Sequence, residues 1–72
     1  MTISNGTRAD WARVALIAYL GVKGEDDNMR DDIADLVTDL LHLAKRERLR
    51  KPESILYTAR MHFEVERKGR AR

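Results

Sequence analysis

Seventy-two residues, 43% hydrophobic and 36% charged, are read as one small ordered domain, 1–72, and exclude a disordered chain or a membrane protein. A chain of this size buries only about 60% of its unfolded surface, so a deep enclosed substrate cavity would need two chains to build it. The sequence has no cysteine, which removes disulfides and thiolate metal sites and leaves helix packing, aided by oligomerisation, to supply stability.

The net charge of +2 hides a segregation. Glu25 to Asp39 holds seven acids and one Arg, whereas Lys45 to Lys51 holds five basic residues and one Glu. The longest apolar run, Val14 to Leu20, is far short of the roughly 20 residues that span a bilayer. The first ten residues lack the basic start and apolar stretch of a signal peptide. The expectation is a cytoplasmic protein that does not enter a membrane.

The fold class expected is all-α: a compact three-helix domain with helices over about 8–20, 29–48 and 52–68. Residues 1–6 and 69–72 are expected to be frayed tails. The first helix should start near Thr7, where Thr-x-x-Asp resembles a capping box, and stop at Gly21. Beyond Arg13 it is apolar all round, from Val14 to Leu20. Such a helix is expected to be buried on more than one side. Trp11, in its first turn, reads as a core anchor.

The second helix should be capped by Asp27 or Asn28 and end among Lys45, Arg46 and Arg48, where the helix dipole favours cations. Projected at about 100° per residue, Ile33, Leu36, Val37, Leu40, Leu41, Leu43 and Ala44 fill one half of it, the expected core face. Asp35, Asp39, His42 and Arg46 fall together in the other half. Asp39 and His42 stand i, i+3, a spacing seen in di-iron bundles. However, Asp35 and His42 lie about 10 Å apart along the axis, and a metal would need ligands from elsewhere. The row therefore reads as a solvated or partner-facing surface, with no catalytic residue, metal or cofactor assigned.

Two enzyme signatures are also missing. No Glu-x-x-Glu accompanies Asp32-x-x-Asp35, as the all-helical nucleoside triphosphate pyrophosphohydrolases would require. Neither His42 nor His62 is followed by Asp, as HD-type phosphohydrolases would require.

The third helix should open at Pro52 and end at Gly69. Ile55, Leu56, Ala59 and Phe63 make one apolar stripe; Tyr57, Met61 and Val65 make a second on nearly the opposite side. A monomer of this size does not easily cover both. Tyr57, Met61 and Val65, with Ile17 of the first helix, are therefore the expected interface of a homodimer or of a complex with another protein. His62 falls between the stripes as a boundary residue. The alternative partner is nucleic acid, held by Lys45, Arg46, Arg48, Arg50, Lys51, Lys68, Arg70 and Arg72. Glu64 and Glu66 on the exposed strip, and the lack of Asn or Gln there, argue against base reading.

The patterns DLVTDLLHLA (Asp35 to Ala44) and ARMHFEVE (Ala59 to Glu66), joined by a short basic link, resemble a group of small, mostly uncharacterised helical proteins of bacterial genomes, phages and plasmids. The resemblance covers roughly residues 30 to 66. Members of the group often carry Gly in the link, where this chain has RERLRK. What the resemblance implies is a mobile-element setting, in which small helical proteins act by binding host or element proteins. The resulting expectation is a non-enzymatic interaction module, an accessory or inhibitory factor of a mobile element or phage.

Overall fold

The computed structural model describes residues 3–25 and 28–69. Three helices follow one another: α1 (Asn5–Lys23), α2 (Met29–Arg46) and α3 (Ser54–Arg67), with no strand among the described residues. None of these helices is long and apolar enough to cross a membrane.

The helix ends show which local signals prevailed. α1 begins earlier than the Thr7 signal predicts, because Ser4 is the cap: its Oγ accepts the Thr7 N–H at 3.0 Å. Asn5 and Gly6, expected in a frayed tail, are therefore helical. α1 also runs through Gly21 to Lys23. The positive φ that terminates it belongs to Gly24 (98°), whose N–H bonds to Leu20 O at 2.8 Å. α2 is capped by Asn28, whose Oδ1 accepts the Asp31 N–H at 2.8 Å. The other candidate cap, Asp27, lies outside the described residues.

α2 closes in a Schellman motif. The Leu49 N–H bonds to Ala44 O and the Arg48 N–H to Lys45 O, both at 3.0 Å, with Arg48 in the left-handed region at φ 63°. The chain then enters α3 through a tight opening turn. Ser54, Ile55 and Leu56 N–H groups bond three residues back to Lys51, Pro52 and Glu53, so Pro52 precedes the regular helix rather than belonging to it. Gly69, at φ 74°, follows the α3 end.

Two of the joins between the helices are polar. α1 meets α2 where the Tyr19 hydroxyl donates to Asp39 and Lys23 Nζ stands 3.2 Å from Asp35. The far end of α3 returns to the start of α1: Asn5 Nδ2 donates to Glu66 O at 2.9 Å, and Arg8 pairs with Glu66 at 3.7 Å. The result is an open triangle measuring 34 × 30 × 19 Å. Among the described residues only Leu16 (8% exposed) and Ala44 (5%) are buried hydrophobics.

This differs from a closed three-helix core in a specific way. α1 sits on the acidic flank of α2, with Leu16 beside Ile33 and Leu36, so the apolar half of α2 is covered by it only in part. Ile33, Leu40 and Leu43 remain 47%, 52% and 42% exposed. α1 itself, apolar all round, buries Leu16 but leaves Trp11, Val14 and Ile17 in the open.

Candidate protein-interaction surface

The exposed apolar face of α2 is flanked by two grooves. One, of ≈ 390 Å³, lies toward α1 and is lined by Ala9, Ala12, Leu16, Met29, Ile33 and Leu36. The other, of ≈ 440 Å³, lies toward α3, between Val37, Leu40, Leu43 and Ala44 on one side and Leu49, Ile55, Leu56 and Ala59 on the other. α2 thus contributes apolar side chains from Met29 to Ala44 to a nearly continuous strip. The Schellman turn positions the end of the second groove: Leu49 folds back beside Leu43 and Ala44, the hydrophobic contact that usually accompanies this motif.

The second stripe of α3 is also open: Tyr57, Met61 and Val65 are exposed, as are Ile17 on α1 and Phe63.

The Asp35–Asp39–His42 row is split up by the fold. Asp35 and Asp39 stay open to solvent, Asp39 exposed and Asp35 half-buried, while also making the α1 contact with Lys23 and Tyr19. The Lys23 Nζ also lies 5.9 Å from the centroid of the Tyr19 ring. His42 points elsewhere, into a shallow depression with Thr38, Lys45, Leu49 and Pro52. Among the described residues no three His, Asp or Glu side chains come together in a metal-holding group. The helix projection missed this because it places residues on one helix and is silent on which neighbour arrives there. The matching i, i+4 spacings of Tyr19 and Lys23 on α1 and Asp35 and Asp39 on α2 were the available signal. Asp32, buried to 5% exposure on the same flank, had no sequence signal of its own beyond its first-turn position.

The basic link is displayed openly. Lys45, Arg46, Arg48, Arg50 and Lys51 are all exposed, and among the described residues none of them forms an ion pair. Lys68 is exposed at the end of α3, while Arg70 and Arg72 lie outside the described residues. In comparisons with known protein families, curated proteins and solved structures, the chain finds no match.

Proposed function

We propose that this chain is a non-enzymatic protein-interaction module. It has two apolar surfaces to cover, the α2 strip and the outer stripe of α3. One is covered by a second copy and the other serves a different protein. The observation that carries the reading is the amount of surface. The chain exposes 6417 Å², where a closed monomer of its 8.3 kDa mass would expose about 4,600 Å². The difference of roughly 1,800 Å² exceeds the ~800 Å² that one partner contributes to a standard interface. The likeness of its α2–α3 segment to small proteins of phages and plasmids supports a role as an accessory or inhibitory factor of a mobile element.

Light scattering over a concentration series tests the self-association. The expected mass is twice 8.3 kDa by micromolar concentration. A monodisperse monomer at high micromolar concentration that also binds no apolar dye would overturn the reading, because the strip would then be internal.

The exposed, unpaired basic link favours one second reading, a nucleic-acid-binding regulator. It requires binding to duplex or single strands that weakens steeply with salt, by up to about five released counterions for the five link cations. The absence of a shift with either at low salt would remove it.

A further inference from the structure

The structure leaves much of the α2 strip exposed between α1 and α3, and its charges say which way a cover would lie. We propose that the strip pairs antiparallel with the α2 of a second copy, about a two-fold axis passing between Leu36 and Val37. The inference rests on the interaction-module reading and names the occupant of one of its two surfaces.

Three observations carry it. First, the strip is self-complementary in kind: Met29, Ile33, Val37, Leu40 and Leu43 are exposed along one helix face. A two-fold interface uses the same patch on both chains and closes with no face left over. Second, the whole-chain surplus of roughly 1,800 Å², shared between the α2 strip and the outer α3 stripe, is enough for the strip to supply the ~800 Å² that each copy contributes to a standard interface.

Third, α2 is electrically lopsided. Asp31 stands exposed in its first turn, after the exposed Glu25 of the preceding loop, and Lys45, Arg46 and Arg48 stand exposed near and just beyond its end, whereas Asp35 is engaged by Lys23 and Asp32 is buried. Asp31 and Arg46 are separated by about 22 Å along the axis. That exceeds the screening length of about 8–10 Å at physiological salt, so the two ends of one helix do little to neutralise each other. An antiparallel mate brings its basic end to the acidic end of the first copy, and opposes the two helix dipoles. A parallel mate would set acid beside acid and base beside base. The antiparallel arrangement places Ile33 opposite the second copy's Leu40, and Met29 beside its Leu43. Tyr57, Met61 and Val65 then remain free for a different protein.

The chain has no cysteine, so introduced thiols report orientation without background. Ile33→Cys and Leu40→Cys chains, one carrying an affinity tag to separate their masses, are mixed and mildly oxidised. The expected product is the mixed disulfide of intermediate mass. Each variant alone should stay largely unlinked, because two copies of residue 33 are offset by about 10 Å along the axis, beyond the ~7 Å that a disulfide tolerates between Cα atoms. Self-linking of both variants, each as strong as the mixed product, would show parallel helices and overturn the proposal. So would an absence of any link while light scattering still reports a dimer. That second result would move the dimer to another face yet leave the interaction-module reading standing; a monomeric mass would overturn the proposal, and would remove the interaction-module reading as well only if the monomer also bound no apolar dye. Met29→Cys with Leu43→Cys, both exposed and within one residue of the same register, tests the pairing should the first pair fail to fold.

Discussion

Arg48 occupies a backbone conformation, φ 63°, in which the Cβ of an L-residue crowds the following carbonyl at a cost of about 1–2 kcal/mol. It is held there because the two Schellman hydrogen bonds satisfy carbonyls at the end of α2 and fold Leu49 back onto the groove. Arg48→Gly should therefore stabilise the protein by about 0.5–1 kcal/mol relative to Arg48→Ala. Urea unfolding of the two variants checks this, and the Ala comparison removes the effect of the lost charge. At the other end of α2, Asn28→Ala removes the side-chain acceptor for the Asp31 N–H; a loss of about 1 kcal/mol is expected in the same assay. Asn28 was legible because Asn before an acidic first turn is a direct capping signal. Arg48 was not, since nothing in its chemistry favours a left-handed residue. Its place is set by where the apolar strip ends and the link must turn.

The helices were legible from apolar periodicity and from Pro52 and the glycines, with ends shifted by up to three residues where a competing cap or turn prevailed. Their mutual placement was not. α2 reads as amphipathic, which fixes that one half avoids water, but not whether that half meets α1, α3 or another molecule. What decided it is the polar bridge of Tyr19 and Lys23 to Asp39 and Asp35, which seats α1 on the acidic flank. Tyr19→Phe leaves the ring and removes the hydroxyl; the expected cost is about 1 kcal/mol. Lys23→Ala, which loses a partly exposed ion pair, should cost less than about 1 kcal/mol. A double-mutant cycle between Tyr19→Phe and Asp39→Asn measures the coupling directly. A coupling of zero would mean that the contact does not position α1.

For the chain taken together, a radius of gyration of 13.7 Å stands against about 11 Å for a compact domain of its length. With Leu16 and Ala44 as the buried hydrophobics among the described residues, the three helices share little core to make them cooperative. Hence Leu40→Glu, which places a charge in the middle of the α2 strip, should weaken dimerisation by about two orders of magnitude or more. Tyr57→Glu, on the outer stripe of α3, should leave the mass unchanged; sedimentation of both variants checks the pair. The excess of apolar stripes was legible, but the stripe on α2 that reads as an internal core is a large part of the apolar surface left exposed. The central claim is that folding and pairing are one event. The most direct test is helix content by circular dichroism, followed on dilution from micromolar to nanomolar alongside the sedimentation mass. The two should fall together at one midpoint. A chain that stays fully helical and melts cooperatively as a nanomolar monomer would contradict the claim.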